Sequence, residues 1–151
     1  MKLSPEEKKI HKNFLPGEIS RDGFLGNDPR HIHDIIREDL QILEHEDITP
    51  QQIADRLQYF TDKGKEALEN EVAVDTYTVR VDWARGMIPC PFGEPGLHHK
   101  ISVCLTNTKS NACIIFSQLS IHMIREHGFF AGRGSVYRLE PVAVAGFLGL
   151  R

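Results

Sequence analysis

A cysteine held between two prolines, Pro89-Cys90-Pro91, opens the densest run of potentially reactive side chains in the sequence, and His98-His99 closes it. The connection from Gly86 to His99 carries three prolines and three glycines. Proline fixes φ and glycine permits tight bends, so this composition predicts a shaped loop. A thiol beside an imidazole can be activated as a nucleophile, and the same pair can bind a borderline-soft divalent metal. Consecutive histidines on a strand point to opposite faces. By parity with Lys100, His98 is expected on the wet face and His99 towards the core.

A second group lies in Ile121-His122-Met123-Ile124-Arg125-Glu126-His127-Gly128. His122 and Glu126 are four apart and share a helix face, which suits them to one ion or to orienting one imidazole. Cys90, His98, His122 and Glu126 are therefore the candidate metal ligands, with a divalent metal as the implied cofactor. In an enzyme, His98 or His122 would act as the acid/base, because histidine titrates near neutral pH. His127 has a simpler expected role, bonding the terminal carbonyls of its helix.

Gly132-Arg133-Gly134-Ser135-Val136-Tyr137-Arg138 supplies a third candidate. Glycine-bounded turns with arginine can hold an anion, so Cys90, Arg133 and Arg138 are candidate ligand-binding residues, with Arg125 nearby. The stretch lacks the Gly-Lys-Ser/Thr ending of a phosphate loop and the GxGxxG of a dinucleotide fold. His31 and His33 are two apart, do not share a helix face, and are expected to be solvated. Asp39 projects into an otherwise apolar helical stripe, where it needs a basic partner.

Two fragments resemble winged-helix DNA-binding domains. Ile48-Thr49-Pro50-Gln51-Gln52-Ile53-Ala54-Asp55-Arg56-Leu57 is similar to the helix that opens their helix-turn-helix. Gly132-Arg133-Gly134-Ser135-Val136-Tyr137-Arg138-Leu139 is similar to a wing leading into the last strand. The resemblance covers less than a fifth of the chain and implies nucleic-acid binding. The segment after Leu57 departs from the family, since a strand and the proline-rich loop stand where a recognition helix belongs.

The elements that must position these groups are legible from periodicity and caps. Ser4-Pro5 with Glu7 starts a short helix. Residues 13–28 are rich in Gly, Asn and Asp and predict an irregular surface connection. Asp28-Pro29 is expected to cap a helix running to about Glu46 with Ile32, Ile35, Ile36, Ile42 and Leu43 on its buried stripe. Thr49, Pro50 and Gln52 form a capping box, and Ile53, Leu57 and Phe60 follow on one face; Gly64 ends or weakens that helix.

The period then changes to two. Val72 to Trp83 and His99 to Thr106 read as strands, Ala112 to Phe116 as a third, and Val136 to Leu139 as a last extended segment. A helix near 117–127 ends at Gly128. Helices, then sheet, with one helix returning, gives a single α+β domain: N-terminal helices on a mainly antiparallel sheet of three to five strands.

Composition bounds the function. The chain has 151 residues, a net charge of −3 and 40% hydrophobic residues. Its charge supplies no general attraction to nucleic acid or anionic membrane, making nucleic acid an unfavoured partner. Three cysteines are too few for a disulfide framework, and a charged N-terminus without an apolar run suggests a cytoplasmic protein. No apolar stretch is long enough to span a bilayer. The expected function is small-ligand or metal binding, with enzymatic His/Cys chemistry where loop 86–99 meets helix 117–127. The alternative is a non-catalytic homo-oligomer that pairs through the apolar segment 142–150.

Overall fold

The computed structural model describes residues 4–151; the first three residues of the charged N-terminal stretch lie outside them. Among the described residues the elements are α1 (Pro5–Lys12), α2 (Ile32–His45), α3 (Pro50–Glu66), β1 (Val72–Val74), β2 (Tyr77–Pro89), β3 (Leu97–Asn107), β4 (Cys113–Ser117), α4 (Gln118–His127) and α5 (Pro141–Phe147). The strands form an antiparallel sheet in the order β1-β2-β3-β4. This is the expected α+β fold.

Local chemistry accounts for the best-defined ends. Thr49 Oγ1 accepts from the Gln52 amide while Gln52 returns a bond to the Thr49 amide, closing the capping box. Ser117 caps α4 in the same reciprocal way with Ser120. Gly128 ends α4 at φ 66°, and the Gly128 and Phe129 amides reach back to Ile124 and Met123. This is the left-handed ending that lets the last carbonyls find donors.

The helices α3 and α4 cover one face of the sheet. Ile53, Leu57 and Phe60 are fully buried against Val79, Val81, Val103 and Leu105. Each such side chain contributes about 1.5–3 kcal/mol by leaving water. Gly64 does not end α3; it is where the helix presses closest to the sheet. A Cβ there would lie 2.5 Å from Val81 Cγ2 and 3.1 Å from Val79 Cγ2. Gly64→Ala is therefore expected to destabilise by about 1–3 kcal/mol through overpacking, although alanine is the better helix former. Urea denaturation checks this: a stabilised variant would mean the helix can lift off at no cost.

A second apolar cluster gathers Phe14, Phe24 and Leu25 with Ile32, Ile35, Cys90, Leu119, Met123 and Phe129. Residues 13–28 are thus irregular and largely at the surface as expected, but Phe14, Phe24 and Leu25 within them turn inward. Their aromatic side chains wall the far side of α4 and cover Cys90.

Several expectations are corrected. Helix α2 begins at Ile32 with His31 as its cap, because Asp28 accepts instead from the Arg30 side chain and the Arg133 amide. His31 is not solvated: its ring stacks on His11 and His33, and its Nε2 is buried. The Val72–Trp83 run is two strands separated by a tight turn, and β2 continues to Pro89. Two residues more on β2 than on β3 separate the pairs Trp83↔Ile101 and Met87↔His99. His99 is exposed rather than in the core. Val136–Leu139 forms turns and irregular backbone, not a strand, and α3 leads to β1 with no recognition helix between them. The apolar C-terminal run folds as α5, with Val144, Ala145 and Leu148 in the chain's own core.

Candidate metal centre

Half of the proline-rich connection is strand. With β2 reaching Pro89 and β3 starting at Leu97, only residues 90–96 form the loop. Cys90 opens it and is 2% exposed. The Gly93 amide closes a turn onto the Cys90 carbonyl with Gly93 at φ 90°, a conformation that favours glycine. That turn sends the chain back so that Glu94 faces the last turn of α4. Asn13 fixes the loop from the other side by donating to the Pro91 carbonyl at 3.0 Å.

Glu94 Oε1 lies 2.6 Å from His122 Nε2 and 2.7 Å from His127 Nε2. Cys90 Sγ lies 3.9 Å from His127 Nε2. The His127 ring stacks on Phe92 with centroids 3.9 Å apart and planes 13° off parallel, which fixes where its nitrogen points. Cys90, Glu94, His122 and His127 each present one donor atom, all within 4.8 Å of one another. They form a group that can hold a metal ion.

The electrostatics of the four are set by burial and by each other. Hydrogen bonds from His127, His122 and Cys90 hold the Glu94 carboxyl down at about 2. Burial pushes the Cys90 thiol up to about 12, and the nearby Glu94 charge adds to this against a bond from the Phe92 amide. A thiol in that state is neutral at physiological pH and is a poor nucleophile unless something removes its proton. Burial, then the neighbouring His122, holds His98 below the ordinary histidine value.

The donor set fits a zinc-class ion: one thiol, two imidazoles and one carboxylate are the types such ions take. In a tetrahedral site with Zn–S of about 2.3 Å and Zn–N of about 2.0–2.1 Å, ligand atoms are roughly 3.3–3.6 Å apart. The sulfur–nitrogen separation is already near this. The carboxylate oxygen is at hydrogen-bond distance from both imidazoles and has to withdraw by roughly 0.6 Å to admit an ion. Glu94 belongs to the loop, half-exposed, so it is the ligand best able to make that shift.

Of the residues singled out in the sequence, Cys90 and His122 lie in the group. His98 stands beside it, its ring 4.4 Å from that of His122, but contributes no donor atom. Glu126 is exposed and lies outside; the carboxylate that meets His122 is Glu94. The arginines do not converge on a shared ligand. Arg125 pairs with Asp55, Arg133 with Glu38, and Arg138 with Asp39 and Glu140. Glu94 and His127 carried no motif signal. The available clue was that a histidine closing a helix can turn its ring back over the helix end, where a preceding loop can meet it.

No protein-family model, curated protein or solved structure matches this chain. Its function therefore has to be read from the site. Among the described residues no helix is long and apolar enough to cross a membrane.

Proposed function

We propose that this protein binds one transition-metal ion of the zinc class through Cys90, Glu94, His122 and His127. The observation that carries the reading is the convergence of four donor atoms of suitable type within 4.8 Å, drawn from two separate elements. Such an ion would stabilise the Cys90 thiolate and fasten loop 90–96 to the end of α4. Four protein ligands favour a closed, structural site over an open catalytic one. His98, packed on the His122 ring, would set the orientation of that ligand rather than bind the ion.

The homo-oligomer reading drew its support from an apolar run that needed cover. Within the chain, Val144, Ala145 and Leu148 already have that cover in α5.

Elemental analysis of the purified, untagged protein tests the proposal. Near one equivalent of zinc, or of cobalt or nickel after exchange, is expected in the parent chain. Cys90→Ala and His127→Ala are each expected to lose it, while Glu126→Ala keeps it. Folded parent protein that stays metal-free in excess zinc would overturn the proposal, and so would full metal content in the His127 variant.

A further inference from the structure

Next to the metal group, but not including it, is a cleft of about 470 Å³. It opens where β4 stops. Strand β3 pairs with β4 only from Ser102 onwards, so on that side Leu97–Ile101 have no strand neighbour. The first turn of α4 and residues 19–24 close the space, and Tyr137 comes over the top. Its deep walls are apolar, chiefly Ile88, Ile101, Leu119, Met123, Phe129 and Phe130.

The two hydroxyl pairs in this cleft share one property: each pair has a proton still to give. Ser102 Oγ and Tyr137 Oη are 2.7 Å apart. Each hydroxyl carries one proton, and one bond between them uses only one of the two. Ser117 and Ser120 repeat the pattern at 2.9 Å, and both oxygens already accept from backbone amides. Of these, Ser120 is buried, 6% exposed. The Leu119 amide, in the first turn of α4, has no acceptor within its helix. At the rim, Arg21 and Lys100 have no ion-pair partner among the described residues, and Asp22 is the sole carboxylate in the lining. Donors at depth, surplus cations at the mouth and a helix N-terminus all favour an acceptor that carries negative charge.

We infer that this cleft binds a small amphipathic organic acid, with its carboxylate at the paired hydroxyls and the α4 N-terminus and its apolar body against Met123 and Phe129. The volume falls in the range of about 300–1,000 Å³ typical of small-molecule sites. The inference does not depend on the metal site.

Decanoate is a suitable probe, titrated calorimetrically below its micelle concentration into the full chain. Saturable one-to-one binding is expected, with decanol weaker by roughly tenfold or more, because an alcohol cannot use the charge-assisted bonds. Tyr137→Phe is expected to weaken decanoate by roughly tenfold. Lys100→Glu, at an exposed position that leaves the core untouched, is expected to weaken it by roughly fivefold and to make the remaining affinity less salt-dependent. Val136→Trp fills the mouth from an exposed position and is expected to abolish binding. No binding at millimolar decanoate would overturn the inference. So would decanol matching decanoate, or unchanged affinity in a folded Val136→Trp variant.

Discussion

Arg138→Met is expected to destabilise the fold by about 3–5 kcal/mol at neutral pH, the cost of leaving one partner of a buried ion pair alone. The Arg138 side chain is 7% exposed and that of Asp39 is 3% exposed. The guanidinium takes both carboxylate oxygens, at 2.6 and 3.0 Å, and also donates to the Ala131 carbonyl at 2.9 Å. Methionine keeps much of the aliphatic volume, so most of the effect is electrostatic. Its pH dependence separates it from a packing defect. Burial already pushes Asp39 above the ordinary carboxyl value even with Arg138 beside it, and removing the cation pushes it further in the same direction. A carboxyl raised in the folded state opposes folding fully above its folded pKa and not at all below its unfolded value near 3.8. The deficit between parent and variant, measured by urea denaturation, is therefore expected to shrink from pH 7 to pH 4. A deficit that holds constant across that range would assign the loss to packing. The double replacement Asp39→Leu with Arg138→Met is expected to recover most of the stability, because no charge is then left buried.

The Asp39–Arg138 pair also marks how far a sequence can be read. Asp39 in an apolar stripe announced that a cation was needed, but its partner lies 99 residues away and no local rule names it. Features settled within a few residues were legible: the Thr49 capping box, the Gly128 ending of α4 and the alternation of Tyr77, Val79 and Val81. Features settled by register were not. Between the pairs Trp83↔Ile101 and Met87↔His99 the ladder is irregular, and His99 is exposed although it stands two residues from buried Ile101 on the same strand, so parity counted from Ile101 misplaces it. The same holds at the metal group. Periodicity directed attention to the four-residue pair His122 and Glu126, on one face of α4. The pair that Glu94 joins is His122 and His127, about 140° apart around an ideal helix. Only a loop docked over the helix end, turned back at Gly93, can address both. Cys90 and His122 were visible as reactive types on the right elements, whereas Glu94 and His127 depended on that docking.

The docking should in turn depend on the ion, and this gives the largest effect expected of ligand removal. An ion that binds the folded chain alone adds about 4 kcal/mol when its free concentration is a thousandfold above Kd. For a chain of this length, about 2–4 °C accompanies each kcal/mol, so saturating zinc is expected to raise Tm by roughly 8–16 °C. Chelation is expected to reverse the rise, and Cys90→Ala to abolish most of it. Loss of even an outer-shell partner costs about 10–100-fold in affinity, so loss of a direct ligand is expected to cost more. The proton count sharpens the test. Above pH 4 Glu94, held at about 2, is already ionised and has no proton to release. Cys90, at about 12, holds its proton throughout the neutral range and must give it up to become a ligand. Its contribution is one proton released per ion bound, which makes affinity rise about tenfold per pH unit from this residue alone. Calorimetry in buffers of different ionisation enthalpy reads that count directly. The Cys90→Ala variant, if it still binds weakly through the other three residues, is expected to release one proton fewer. An unchanged count in that variant would remove the thiol from the ligand set and leave the two imidazoles and Glu94 as a weaker, three-donor site.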